Sequence, residues 1–201
     1  IMASFSDKNL KIAVTGGIGS GKSTVMQIIS ELGYKTVDLD KVYKDLLSDE
    51  KFVNGISNLL GIEPVVKNGR VTLDKSAVSK KVFNDKNALE KLNAYTHPEI
   101  LAEAFKQGGN GVTFYEVPLL FECDLINFFD KTIVVLRDKN VRAESAAKRD
   151  GKSTEEIFER INNQFDYDNT DLSLHIIIRN DGDLSELTNK VKWAINEIKE
   201  K

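Results

Sequence analysis

Cysteine is nearly absent from the 201 residues: Cys123 stands alone, so no disulfide can form within the chain, and a reducing compartment suits it. Its thiol reads as a small, partly buried group, not as a reactive one. That cysteine and two histidines supply too few ligands for a zinc site. No apolar run approaches the roughly 20 residues that cross a bilayer, so no membrane partner is expected. The N-terminal residues lack a signal-peptide pattern, which makes the cytoplasm the expected location. Basic charge is not in surplus either. With a formal net charge of −3 the chain has no general attraction for nucleic acid, and any anion must be held locally. No internal repeat or low-complexity tract is visible. The length fits one domain, or one core carrying small insertions.

What is present centres on Gly16-Gly17-Ile18-Gly19-Ser20-Gly21-Lys22-Ser23-Thr24. It follows the apolar run Ile12-Ala13-Val14, which reads as a short buried strand. It precedes a helical pattern of Val25, Ile28, Ile29 and Leu32, closed by Gly33. Strand, glycine-rich turn and helix are the context of a phosphate-binding loop. Backbone N–H groups must reach polyphosphate oxygens, and side chains at most of these positions would block them. The helix N-terminus adds partial positive charge. Gly17, Ile18, Gly19, Ser20, Gly21, Lys22, Ser23 and Thr24 are therefore the candidate nucleotide contacts. Lys22 can reach the β- and γ-phosphates, and the Ser23 hydroxyl can complete a Mg²⁺ shell. The motif implies ATP and Mg²⁺ without saying what is done with them.

Next comes Lys35-Thr36-Val37-Asp38-Leu39-Asp40, read as a strand with Asp38 and Asp40 on one face. A carboxylate at its end would face the crevice of an open α/β sheet. Either aspartate can instead cap the following helix, expected near Lys41; the two readings are balanced for Asp38, and chemistry is favoured for Asp40. Residues 41–108 read as helical and irregular with no strand. Asn68-Gly69 marks a turn, helices cover Ser76–Phe83 and Asn87–Tyr95, and His97-Pro98 opens another over Glu99–Lys106. His97 reads equally as a structural group or a substrate contact.

Val112–Val117 is the third expected strand, with Glu116 on the ligand side, and Pro118 ends it. The apolar loop Leu119-Leu120-Phe121 reads as packing. Lys131–Leu136 is the fourth strand, nearly continuous in apolar residues as a sheet covered on both faces requires. A basic helical hairpin follows, with Arg142, Lys148 and Arg149 before Gly151. Ser153-Thr154-Glu155-Glu156 is a capping box that starts its second helix, which carries Arg160 and Gln164. Arginines there can close over a triphosphate, Arg149 foremost, or can form a solvated charged face. His175–Arg179 is the fifth strand, and Asn180-Asp181-Gly182 after it can reach a nucleotide base. Asp183 caps a final helix whose inner stripe is Leu184, Leu187, Val191, Ile195 and Ile198, with Trp193 at its margin.

The order of these features resembles the dephospho-CoA kinase family. The resemblance rests on the glycine loop, Asp38-Leu39-Asp40, His97-Pro98 and the run Tyr115-Glu116-Val117-Pro118-Leu119-Leu120-Phe121-Glu122. Arg149-Asp150-Gly151, Arg160-Ile161-Asn162-Asn163-Gln164 and Asn180-Asp181-Gly182 extend it, so that it runs from about Leu10 to the C-terminal helix. The phosphate loop is common to many NTPases; the run from Tyr115 is far more specific. The resemblance implies a P-loop kinase-like three-layer α/β fold with a five-stranded parallel sheet. Its core would span about 10–40, 110–137 and 172–201, with a helical CoA-binding insertion at 41–109 and a lid at 138–168. The implied activity is ATP-dependent phosphorylation of the ribose 3′-hydroxyl of dephospho-CoA, giving coenzyme A and ADP, the last step of coenzyme A biosynthesis. Asp40 corresponds to the family's base, beside Lys22 and Arg149 as catalytic groups. Asp38, Lys75, His97, Glu116, Pro118 and Leu119 would contact the acceptor, and Arg149 and Asn180 the nucleotide. Where the family carries a second lid arginine this chain has Ser145, and Arg142 is the candidate to stand in for it. The family's "DR" is Asp74-Lys75 here, and the "AD" before the last strand is Leu174-His175. A monomer or weak homo-oligomer is expected. Other small acceptors, such as a nucleoside monophosphate, and a non-catalytic ATP-binding module are the alternatives.

Overall fold

The computed structural model describes residues 9–200, so part of the N-terminal stretch judged above for a leader lies outside the described residues. In chain order the elements are β1 (Lys11–Thr15), α1 (Lys22–Glu31), β2 (Lys35–Asp38), α2 (Leu39–Leu46), α3 (Glu50–Leu60), β3 (Val65–Lys67) and β4 (Arg70–Thr72). They continue as α4 (Lys75–Asn84), α5 (Lys86–Gly108), β5 (Thr113–Glu116), β6 (Lys131–Leu136), α6 (Lys139–Asp150), α7 (Thr154–Asn162), β7 (Ile176–Arg179) and α8 (Leu184–Glu200). They divide into two compact units: residues up to Val37 with those from Gly108 onward, and Asp38–Gln107.

The first unit is built on a five-stranded sheet of order β2-β5-β1-β6-β7. β1 pairs parallel with both β5 and β6, and β6 pairs parallel with β7. The sequence explains β1's central place: Ile12, Ala13 and Val14 are apolar on both faces, and all are fully buried. The core joins Ile12, Val14, Ile133 and Val135 to Val25, Ile28 and Ile29 of α1 and Leu187, Val191, Ile195 and Ile198 of α8. Leu184 departs from the expected stripe. It begins α8 and is exposed, while Trp193 is half exposed at the margin. The α/β architecture is the one expected. Because neighbouring strands diverge on either side of β1, the crevice beyond its carboxyl end is where a ligand fits.

The second unit holds its own apolar cluster of Phe52, Ile56, Leu60 and Ala88, packed by Tyr43, Leu46, Leu92 and Tyr95. Phe52 and Tyr95 stack with ring centroids 5.7 Å apart. Three expectations are corrected here. Residues 65–72 form an antiparallel β3–β4 hairpin where no strand was expected; its three-residue strands are too short to display a period. Asn68 and Gly69 both take positive φ (53° and 75°), the primed turn that suits a two-residue hairpin. The two helices expected on either side of His97-Pro98 are one 23-residue α5 with Pro98 inside it, so Pro98 is not at a first helical position. Finally, the strand read over residues 35–40 stops at Asp38, and Leu39 and Asp40 begin α2. The Asp38 carboxylate causes that switch by accepting from the N–H groups of Asp40 (2.8 Å) and Lys41 (3.2 Å).

Candidate nucleotide site

At the end of β1 the chain turns through Gly16–Gly21 into α1, and the turn has the geometry its glycines predict. Gly19 and Gly21 have φ of 74° and 95°, and Gly21 is the N-cap of α1 without any side-chain cap. The N–H groups of the first helical turn thus remain available to an anion. Lys22 folds back over the turn, donating to the carbonyl oxygens of Gly16 (2.7 Å) and Gly17 (3.1 Å). Ser23 and Thr24 are exposed on the first turn of α1. The Ser23 hydroxyl donates to Oε1 of Glu116 at 3.1 Å, which is possible because Glu116 ends β5 in register with Val14 of β1. Pro118 and exposed Leu119 lie in the turns just beyond.

Side chains from distant parts of the first unit shape the turn. The Gln164 Oε1 accepts from the Ile18 N–H at 2.7 Å, and the Asn180 Nδ2 donates to the Ser20 carbonyl at 2.9 Å. The Asn180 amide is thus engaged with the loop itself. Beneath the turn, Tyr167 and Thr15 hydroxyls lie 3.3 Å apart, both buried. Burial pushes the Tyr167 phenol up to about 12, so it stays protonated at any physiological pH. The roles of Gln164 and Tyr167 were not foreseen. Gln164, expected on the second helix of the hairpin and part of the family-like run from Arg160, instead sits two residues beyond the end of α7, and the fold brings it to residue 18.

The two arginines of α6 have opposite environments. Arg149, in the last turn, is largely exposed, and both its Nε and its Nη2 donate to the neighbouring Asp150 (2.7 and 3.0 Å). This pair raises the guanidinium and lowers the Asp150 carboxyl from their ordinary values. Arg142, at the start of the same helix, is buried against Gly17 and Gly19. Ser145 accepts from Nη1 of Arg137 at 3.1 Å.

The remaining candidates belong to the second unit. Asp38 is the cap of α2, and Asp40 is exposed in its first turn. Lys75 is exposed at the start of α4, where Asp74 caps that helix. His97 is half-buried within α5, and burial lowers its imidazole below the usual range. The candidates therefore fall into two groups. Residues 17–24, Glu116, Pro118, Leu119, Arg149 and Asn180 are in the sheet unit, and Asp38, Asp40, Lys75 and His97 are in the helical one.

Comparison with known proteins bears on what these groups act upon. A family model described as dephospho-CoA kinase matches residues 10–186. The dephospho-CoA kinase of Fusobacterium nucleatum subsp. nucleatum is 34% identical over 185 residues, covering 90% of this chain and 94% of that protein. A crystal structure from Thermus thermophilus is similar with a TM-score of 0.79 and 31% identity, covering 94% of this chain and 98% of that one. Dephospho-CoA kinase from Campylobacter jejuni is similar with a TM-score of 0.65 and 27% identity, covering 94% and 96%. Among the described residues no helix is long and apolar enough to cross a membrane.

Proposed function

We propose, because the chain belongs to the dephospho-CoA kinase family, that it transfers the γ-phosphoryl group of ATP to the ribose 3′-hydroxyl of dephospho-CoA, giving coenzyme A and ADP. The observation that carries the reading, besides the family match, is the loop: Lys22 held over it and Ser23 bonded to Glu116 at 3.1 Å. Loop amides and Lys22 bind the phosphates, with Lys22 exchanging its two carbonyl partners for phosphate oxygens.

The Ser23 hydroxyl and the Glu116 carboxylate are hard oxygen donors and fit Mg²⁺ together with phosphate oxygens. Among the described residues no cluster of three or more His, Cys, Asp or Glu could cage a metal, and a nucleotide-borne Mg²⁺ needs none. When bound, Mg²⁺ neutralises phosphate charge in the transfer.

Asp40 is the base. Asp40 corresponds to the family's base and is exposed in the first turn of α2, whereas the Asp38 carboxylate caps that helix. The acceptor's O3′ forms a bond to the γ-phosphorus as the bond from that phosphorus to the bridging oxygen breaks, and the hydroxyl proton passes to Asp40. Lys75 and His97 of the helical unit are acceptor contacts in this reading, as are Glu116, Pro118 and Leu119 of the sheet unit. The α6–α7 hairpin acts as a lid that excludes competing water. Arg149 must leave Asp150 to reach a phosphate from there.

The test is ADP release from Mg-ATP with dephospho-CoA, AMP, CMP or adenosine, in wild type and Asp40→Asn. Stimulation by dephospho-CoA alone, lost in the variant, is the expected result. Stimulation by a monophosphate instead, or by nothing, overturns the substrate or the activity respectively.

A further inference from the structure

We infer that Arg142 is a phosphate ligand of this protein, fixed beside the glycine loop and needing no lid closure to reach it. The inference rests on the proposed binding of ATP at that loop. Arg142 stands in the first turn of α6, where its N–H donates to the carbonyl of Asp138 at 2.9 Å. Its main chain packs directly on Gly19. Its Nη1 lies 2.7 Å from the position a Cβ on Gly17 would take, so the guanidinium touches the loop itself.

The side chain is only 3% exposed, yet its Nε and Nη1 are buried without a hydrogen-bond partner. Burying a guanidinium with unmade bonds is costly, and folded proteins seldom leave such donors unused. Nη2 has one charge partner at 3.7 Å, Oδ2 of half-exposed Asp168, too far for a strong hydrogen bond. A cavity of about 320 Å³, lined by Arg142, Lys139, Gln164 and Asp168, gives the fork room to turn. The planar fork matches two phosphate oxygens. The neighbouring loop presents N–H groups for the same anion. Arg149 lies seven residues on, about 10 Å along the helix, with its Nε and Nη2 already donating to Asp150. The ligand class is the polyphosphate of a nucleoside triphosphate.

The experiment is calorimetric titration of Mg-ATP, with no acceptor present, into wild type, Arg142→Gln and Asp168→Asn, each checked for folding by circular dichroism. R142Q should weaken ATP binding about ten- to a hundredfold, the range for charge-assisted hydrogen bonds. D168N should tighten it at least twofold, because it removes the carboxylate that competes for the same guanidinium. Weakening of less than fivefold in folded R142Q, or unchanged or weaker binding by D168N, overturns the assignment. If R142Q does not fold, D168N decides alone. A wild type that binds ATP but transfers to some other acceptor refutes only the substrate, whereas a wild type that binds no ATP refutes both.

Discussion

Asp38 and Asp40, two residues apart, differ in task under the proposed function: the first caps a helix and the second takes the proton. Asp38 caps α2 through two backbone N–H groups, so Asp38→Ala should cost about 1 kcal/mol in a denaturant melt. Asp40→Asn should lower kcat by about 10²- to 10⁴-fold with little change in KM for ATP, as steady-state kinetics would read. Tyr167 adds a pH dependence. Its folded value of about 12 lies above the unfolded phenol's value of about 10, so its stabilising share is complete below pH ~10 and lost as pH rises towards ~12. That share is about 3 kcal/mol, and Tyr167→Phe should flatten the fall in melting temperature across this window. At this scale the sequence makes the loop and its lysine legible, because those contacts are local. Gln164 and Tyr167 act on residues 146 and 152 positions away, and no local pattern carries that information.

Among the elements, the strands of the main sheet and the capping box of α7 were legible, since each has an apolar run or a fixed spacing. α5 was not. Proline suits a first helical turn, so His97-Pro98 suggested a start, whereas Pro98 lies inside a continuous helix and leaves the carbonyl of Ala94 without its usual donor. Pro98→Ala restores that N–H and should stabilise the protein by about 1–3 kcal/mol, measured by urea unfolding. The β3–β4 hairpin escaped for a different reason. Three residues per strand give no alternation to read, although its turn residues were visible. The helical unit also carries His97, and the sheet unit His175, both lowered by burial. A histidine lowered in the fold adds stability above the unfolded value near 6.5 and loses it as pH falls below. The melting temperature should drop between pH 7 and 5, and His97→Gln with His175→Gln should remove that part of the drop.

At the level of the whole molecule, nucleotide binding and folding are linked. Mg-ATP at a hundred times its dissociation constant should add about 2.7 kcal/mol to the stability of the nucleotide-binding fold, visible as a rise in the thermal midpoint. Ser23→Ala should leave the effect of ATP in chelator largely intact while reducing the extra rise that Mg²⁺ gives, because it removes the hydroxyl that donates to Glu116.

The Asn68-Gly69 turn has a practical consequence. It is an exposed tip between two short strands, with Val66 and Lys67 exposed before it and Arg70 after it. Such tips tolerate inserted sequence because the added chain lies in solvent and little backbone bonding is lost. A fluorescent-labelling peptide spliced between Asn68 and Gly69 would therefore report on the helical unit from within the chain, leaving both termini unmodified.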